Sequence, residues 1–150
     1  MAATDTCSDR LSRLHYHHNL EVVRRRVQYE VVIYSSDDAG QRSPLGDFIR
    51  ELKRRQPSLA RLVAAGLRKL ENPQHHRAPL IEKVDAVEDI YELRVGGANI
   101  ARVFFFYEQG RRVVATNGYV KKSQKLESSE FERARRHKRD WERRHHDLNH

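Results

Sequence analysis

Three strand patterns follow one another in the second half of this chain, and short turns containing glycine join them. The strands are Ile90–Val95, Ile100–Tyr107 and Arg112–Val120. Apolar and polar residues alternate in the first, and β-branched and aromatic residues dominate the other two. The turns are Gly96–Asn99 and Gln109-Gly110. Connections this short join antiparallel neighbours, so the sequence predicts a three-stranded meander.

The residues before the meander predict one strand and two helices. Val27–Tyr34 is β-branched and aromatic, as a strand should be. Ser43 followed by Pro44 is typical of a helix N-terminus, and Pro57 separates this helix from a second one that begins at Ser58. The apolar residues assigned to one face of the second helix are Leu59, Leu62, Val63, Leu67 and Leu70. We expect the two helices to form a hairpin that covers the sheet.

A charged helix is predicted at the end of the chain, with a capping box formed by Ser129 and Glu132. Its apolar face is thin, because Lys138 interrupts the residues Phe131, Ala134 and Trp141. Such a helix depends on charge pairs or on a partner. The predicted fold class is therefore α+β: an N-terminal strand, a two-helix hairpin, the meander that completes the sheet, and a C-terminal charged helix.

The chain length predicts one folded domain, because 150 residues suffice for a single modest core. We assign residues 27–144 to this domain, residues 1–26 to a flexible N-terminal extension, and residues 145–150 to a tail. No window approaches the roughly 20 apolar residues that span a bilayer, and no secretory signal pattern is present. Cys7 is the single cysteine, which excludes an intramolecular disulfide. A cytoplasmic protein without a membrane partner is expected.

Positive charge is concentrated after the last strand. The chain carries a net charge of +8, and residues 120–144 hold ten basic and five acidic side chains. Within that region Lys121, Lys122 and Lys125 fall in five residues, beside Tyr119 and the polar pair Ser123-Gln124. Lysines in this position either protect a solvated strand edge or bind phosphate. Their grouping with Tyr119 favours a nucleic-acid site.

Two arginines of the meander belong to the same candidate site. Arg94 and Arg102 lie on adjacent strands joined by a turn, and alternation places Arg102 on one face with Phe104 and Phe106. An arginine among apolar neighbours must be paired or functional. The first reading for Arg102 is a salt bridge to Glu92 or Glu108, and the second is a contact with phosphate.

The remaining residue types indicate neither a metal nor a cofactor. Most of the nine histidines fall in termini or loops, without the acidic or cysteine partners that a metal site needs. His75 and His76 precede the sheet, where either is a candidate for proton transfer. A ribonuclease without metal needs a proton acceptor for the 2′-hydroxyl, cations for the pentavalent phosphate and a donor for the leaving oxygen. Lysine and arginine suit the second role.

Three segments together resemble the RelE/HigB toxin superfamily, and most closely its phage-derived HigB-like branch. They are YELRVGGANIARVFFFY at residues 91–107, NGYVKKSQK at residues 117–125, and ERARRHKRDWERR at residues 132–144. The order of elements, the SPLGDFI start of the first helix and the Glu92-Leu93-Arg94 triplet agree with it. The resemblance covers roughly residues 27–144. It implies the toxin of a type II toxin–antitoxin pair with a RelE-like fold.

The resemblance also implies an activity and its partners. Such toxins enter the ribosomal A site and cleave mRNA between codon nucleotides without metal, by in-line attack of the 2′-hydroxyl. A small antitoxin, commonly with a helix-turn-helix domain, neutralises the toxin, and the complex represses its own operon by binding operator DNA. The expected protein is thus an endoribonuclease that inhibits translation, with the ribosome, mRNA and a cognate antitoxin as partners.

The site residues carried over from the family are fewer than its pattern requires. Arg102 matches the arginine after the hairpin turn, and Lys121 or Lys122 matches the basic residue after the last strand. Glu92 stands near the place of a second-strand lysine, and the tyrosine expected in the last helix is absent. The expected catalytic residues are Arg102, Lys121, Lys122 and Tyr119, and the expected RNA-binding residues are Arg94, Gln124 and Lys125.

Two other functions are compatible with the same fold. One is a ParE-like inhibitor of gyrase without nuclease activity, against which the basic cluster after the last strand argues. The other is a non-toxic nucleic-acid-binding module or a degenerate toxin. A neighbouring gene for a helix-turn-helix protein that rescues growth would argue against the second.

Overall fold

A computed structural model of the chain describes residues 28–97, 100–122 and 127–146. It contains five strands and three α-helices in these ranges. In chain order they are β1 (Glu30–Ile33), α1 (Pro44–Arg55), α2 (Pro57–Lys69), β2 (Ile81–Asp85), β3 (Ile90–Val95), β4 (Ala101–Glu108), β5 (Arg112–Val120) and α3 (Ser128–His146). A short 3₁₀ turn, Pro73–His75, follows α2. The predicted α+β class is confirmed.

All five strands form one sheet in the order β1-β5-β4-β3-β2. β1 pairs with β5 in parallel, as a long connection allows, because the helical hairpin and the strands β2–β4 lie between the two strands in the chain. The remaining neighbours pair antiparallel, as short turns require. The predicted bounds of β3 and β5 are those of the structure.

The strand β2 was not predicted, so the meander has four strands rather than three. Its sequence IEKVD is short and mostly charged, and a register irregularity separates Lys83 from Asp85. Such a pattern resembles a loop. It is nevertheless suited to the edge of a sheet, where charged residues and irregular pairing prevent association with other strands.

Local signals define the helical hairpin as predicted. The Ser43 hydroxyl accepts a hydrogen bond from the Gly46 N–H at 3.0 Å, and Pro44 occupies the first turn of α1. The Gln56 N–H donates to the Leu52 carbonyl at 2.7 Å at the end of α1, and Pro57 begins α2 at once. The two helices therefore meet at a sharp corner that lies against β5.

One continuous core joins the hairpin to the sheet. Its fully buried side chains include Leu45, Val63, Leu93 and Phe105. The prediction that Leu62 belongs to this face is wrong, because its side chain is 48% exposed. The buried stripe of α2 is centred on Ala60 and Val63, which leaves Leu62 at its flank.

The helix α3 covers the opposite face of the sheet. Ala134 and Trp141 are its buried apolar residues, and Phe131 is partly buried. Glu88, in the β2–β3 turn, accepts from Arg135 at 3.2 Å and from Arg139 at 2.8 Å. Charge pairs thus supplement a thin apolar face, as the sequence indicates.

The predicted capping box is wrong, since Ser129 lies inside the first turn of α3 rather than before it. The backbone N–H groups of Glu130 and Phe131 instead donate to the Glu127 carbonyl, each at 3.1 Å. Of the helices in the described residues, none is both long enough and apolar enough to cross a membrane.

Candidate nucleic-acid site at the end of the sheet

A β-bulge in β5 determines which way the candidate site faces. Val103 is opposite Gly118, whereas Phe105 is opposite Ala115, so Thr116 and Asn117 share one partner on β4. The Thr116 hydroxyl donates to Asn117 Oδ1 at 2.9 Å, and Asn117 Nδ2 donates to the Glu130 carbonyl at 3.1 Å. Thr116 and Asn117 therefore form a bulge within the strand. The extra residue turns Tyr119 toward the face that α3 covers.

The residue after the bulge has to be glycine, because the helical hairpin packs closely against the strand at Gly118. A Cβ atom there would lie 2.5 Å from Cδ1 of Phe48, which is too close for real atoms. The ring of Phe48 therefore packs directly against the strand backbone. This contact ties the first half of α1 to the residue before Tyr119.

Tyr119, Glu92 and Arg102 form a buried hydrogen-bonded cluster. Tyr119 is directly opposite Arg102 on the neighbouring strand, so the two side chains share a face. The Tyr119 hydroxyl donates to Glu92 Oε1 at 3.0 Å, and Arg102 Nη1 donates to Glu92 Oε2 at 2.9 Å. Glu92 is 2% exposed and Arg102 is 5% exposed. A charge buried this deeply has to be paired, and this carboxylate supplies the pairing.

Arg94 extends the cluster toward the edge of the sheet. It is opposite Arg102 across β3 and β4. Its Nε donates to Glu92 Oε2 at 3.3 Å, and its Nη1 lies 2.5 Å from Glu82 Oε2. Two guanidinium groups and two carboxylates thus alternate across three strands. The Arg94 side chain is 29% exposed, so Arg94 is more accessible to a ligand than the buried Arg102.

The environment of Tyr119 keeps its phenol protonated. Burial, followed by the negative charge of Glu92 and the hydrogen bond to it, raises the pKa of Tyr119 well above its usual value. The ring also stacks on Phe104, with centroids 5.6 Å apart. Tyr119 is therefore a hydrogen-bond donor near neutral pH and does not serve as a proton acceptor.

A pocket of 390 Å³ adjoins this cluster at the β3–β4 turn. Arg94 and Arg102 line it together with Pro79, Leu80, Gly96 and Ile100. Arg102 Nε is buried and has no hydrogen-bond partner. An unpaired buried N–H is costly, so the Arg102 guanidinium has an unused donor besides the one that it gives to Glu92.

Lys121 and Lys122, the two predicted site lysines that the structure describes, lie at the same end of the sheet. The Lys121 N–H donates to the Ile100 carbonyl at 2.8 Å, which continues the pairing of β5 with the segment before β4. The Lys121 side chain is partly buried and that of Lys122 is exposed. Gln124 and Lys125 lie outside the described residues. The structure thus brings Arg94, Arg102, Tyr119 and the two lysines to one region.

The predicted salt bridge of Arg102 is confirmed, with Glu92 as its partner, and the contact of Arg102 with phosphate stays a prediction. Glu108 is at the other end of β4, where Oε1 accepts from Trp141 Nε1 at 3.2 Å. Glu92 was not among the predicted site residues, although it connects Tyr119, Arg94 and Arg102. Strand alternation on two adjacent strands was the signal that could have identified it, because it places Glu92 and Arg102 on one face.

His76 has a structural position away from this cluster. Nε2 lies 2.6 Å from the Leu70 carbonyl and therefore donates to it, which leaves Nδ1 to accept from the Tyr107 hydroxyl at 2.7 Å. The ring stacks on Tyr29 with centroids 4.6 Å apart. His75 is exposed in the preceding turn. Neither belongs to the cluster on β3, β4 and β5. Within the described ranges, no three His, Cys, Asp or Glu side chains are placed to hold a metal ion.

The comparison with protein families identifies the class of this chain. The model of the family described as "Phage derived protein Gp49-like (DUF891)" matches residues 46–139, more than half of the sequence. The match runs from the first turn of α1 into α3 and includes the whole cluster described above. The chain belongs to this Gp49-like family, which stands in the context of the RelE/HigB-like toxin superfamily. A search of the curated proteins finds no match.

Proposed function

We propose that this protein is the toxin of a type II toxin–antitoxin pair, of the HigB-like kind, and that it cleaves mRNA on the ribosome without a metal ion. The family supports the toxin class. The observation that carries the nuclease activity is the pair of guanidinium groups, Arg94 and Arg102, which line one pocket and both donate to the buried Glu92 carboxylate. Paired guanidinium groups bind phosphate through forked hydrogen bonds.

The cluster contains groups suited to cleavage by the neighbouring 2′-hydroxyl. In this proposal the scissile phosphate binds between Arg94 and Arg102, which stabilise the charge that develops on its oxygens. The Glu92 carboxylate accepts the proton of the attacking 2′-hydroxyl, because a carboxylate has about four lone-pair sites and three are used by Tyr119, Arg94 and Arg102. The attack forms a cyclic phosphate and releases a 5′-hydroxyl.

Tyr119 and the lysines complete the proposed site. The protonated Tyr119 orients the Glu92 carboxylate through its 3.0 Å hydrogen bond. Lys121 and Lys122 add positive charge at the end of β5 and are candidates to protonate the leaving 5′-oxygen. Gln124 and Lys125 stay predicted RNA-binding residues. The ribosome and a small antitoxin are the proposed partners.

One observation favours a second function, the gyrase inhibitor without nuclease activity. Each arginine of the cluster is already paired with a carboxylate, Arg102 with Glu92 and Arg94 with Glu82. Such internal pairing also fits a protein-binding surface. The two functions differ in their products, since inhibition of gyrase damages DNA and leaves messages intact.

Mapping of transcript 5′ ends after induction of the protein tests the proposal. We expect new 5′-hydroxyl ends inside translated messages, and their loss when translation of the same message is blocked by a mutated start codon. A DNA damage response with intact messages would instead establish the gyrase inhibitor. Ends that persist on the untranslated message would contradict dependence on the ribosome.

A further inference from the structure

A second pocket, of 500 Å³, lies on the other side of Tyr119 from the arginine pocket. It is bordered by the end of α1 and by the last residues of β5. Its lining includes Phe48 and Leu52 as an apolar floor, with Arg55, Lys122 and Glu127 among its polar groups. This size falls within the range that holds small organic ligands. Tyr119 lines this pocket and also donates to Glu92, so the pocket adjoins the proposed cleavage site.

The pocket exists because β5 extends beyond the end of β1, its neighbour on the side away from β4. β1 ends at Ile33, opposite Ala115, and in the described residues no strand continues beside Gly118 and Val120. The Lys121 N–H points toward β4, where it donates to Ile100. Since backbone groups alternate along a strand, the N–H and C=O groups of Val120 and Gly118 point away from β4. The free side of β5 thus offers peptide groups to a ligand in this pocket.

The charges of this pocket suit a neutral ligand better than a phosphate. Arg55 and Lys122 are balanced by Glu51 and Glu127, so the formal charge of the lining is zero. Arg55 Nε is 2.7 Å from Glu51 Oε1, so these two charges pair with each other. Glu127 is close enough to Tyr119 for its charge to contribute to the raised pKa of that phenol. Glu127 therefore supplies a carboxylate acceptor in the lining of this pocket, as Tyr119 supplies its phenol ring.

We infer that this pocket holds the base of the nucleotide next to the scissile phosphate, and that Glu127 selects a base with adjacent N–H donors, which is guanine. The inference rests on the proposed function. Carboxylates only accept hydrogen bonds, and the N1–H and N2–H₂ groups of guanine form a pair of donors on one edge. Unstacked bases of single-stranded RNA are commonly read on this edge. Phe48 provides the aromatic surface against which the base lies.

The test uses the full chain and a message with randomised codons in a cell-free translation reaction. The positions of the cleavage ends are sequenced for the wild type, for Glu127→Gln and for Glu142→Gln. Glu142 is a matched control, because it is an exposed α3 carboxylate outside both pockets. We expect guanine to be enriched beside the cleavage position about tenfold in the wild type and in Glu142→Gln. In Glu127→Gln the enrichment should disappear.

The outcomes separate this inference from the function on which it rests. Cleavage by the wild type without preference for guanine would overturn the inference and leave the nuclease in place. The same holds if Glu127→Gln keeps the wild-type preference. If the folded wild type cleaves no message, the proposed nuclease fails and the inference fails with it.

Discussion

The two faces of the sheet differ in what covers them. The helical hairpin covers one face from end to end with a single apolar core that includes Leu45, Leu93 and Phe105. On the other face, α3 makes two small apolar clusters, around Trp141 and around Ala134, and its N-terminus reaches only as far as the bulge. Beyond it lie Glu92 and Arg102. One face is held by a single apolar core, and the other carries a buried cluster of charged groups.

The buried pair of Glu92 and Arg102 is where we expect the largest effect on stability. Glu92→Ala removes the carboxylate that pairs with Arg102 and should lower the free energy of unfolding by about 3–5 kcal/mol. Urea denaturation followed by circular dichroism measures it. The double variant Glu92→Leu with Arg102→Leu is the control, and it should recover most of the loss while remaining inactive. A double variant as unstable as Glu92→Ala would show that the pair serves the fold.

A smaller effect tests the contact of the hairpin with the bulge. Gly118→Ala places a Cβ atom 2.5 Å from the Phe48 ring, so we expect a loss of about 1–3 kcal/mol. Gly97→Ala is the matched control, because no atom lies within 4 Å of its added Cβ, and it should change stability by about 0.5 kcal/mol at most. Equal unfolding midpoints for the two variants would refute the close approach of Phe48.

The α3 face should also be the more sensitive to acid. Burial, with Arg133 and Arg136 nearby, lowers the pKa of His137 to about 4. An unfolded histidine has a pKa near 6.5, so between these values the unfolded chain binds more protons than the folded one. Stability that is present above pH 6.5 should therefore be lost as the pH falls toward 4. His137→Gln should show a weaker dependence between pH 7 and pH 5 in urea denaturation, and an unchanged dependence would contradict this.

The smallest effect is expected on the outer side of the hairpin. Leu62 is 48% exposed, so Leu62→Ala should change stability by about 0.5 kcal/mol or less. Leu59, 6% exposed on the same helix, is the control, and Leu59→Ala should lose about 2–5 kcal/mol in thermal or urea unfolding. A large loss at Leu62 would mean that another surface covers it.

The apolar face was predictable from the sequence because its signals are local and repeated. The Ser43-Pro44 start, the break at Pro57 and the alternation in β3 each determine their own element. The missed strand β2 lacks such a signal, since IEKVD owes its strand conformation to pairing with β3. The bulge in β5 could not be predicted from the sequence either, because the position of the extra residue depends on the register between β4 and β5.

The site was predictable in its residues more than in its arrangement. Arg94, Arg102, Tyr119, Lys121 and Lys122 were identified by charge and by resemblance, and they lie at one end of the sheet. The sequence left two partners for Arg102, Glu92 and Glu108, and the choice of Glu92 depends on the strand register of β3 and β4. Glu92 looked like a departure from the family pattern, yet in the structure it holds the cluster together.

The central claim is that the cluster of Glu92, Arg94 and Arg102 on the α3 face cuts RNA. A comparison of two single variants, one at each end of the sheet, tests it most directly. Arg102→Gln and Arg112→Gln each remove one guanidinium that pairs with a carboxylate, and Arg112 lies at the opposite end of the sheet. Circular dichroism is used first to establish that both variants are folded. Mapping of 5′ ends on a translated message then measures cleavage by each variant. We predict a loss of at least about 100-fold for Arg102→Gln and wild-type cleavage for Arg112→Gln. A folded Arg102→Gln variant that cleaves like the wild type would contradict the claim.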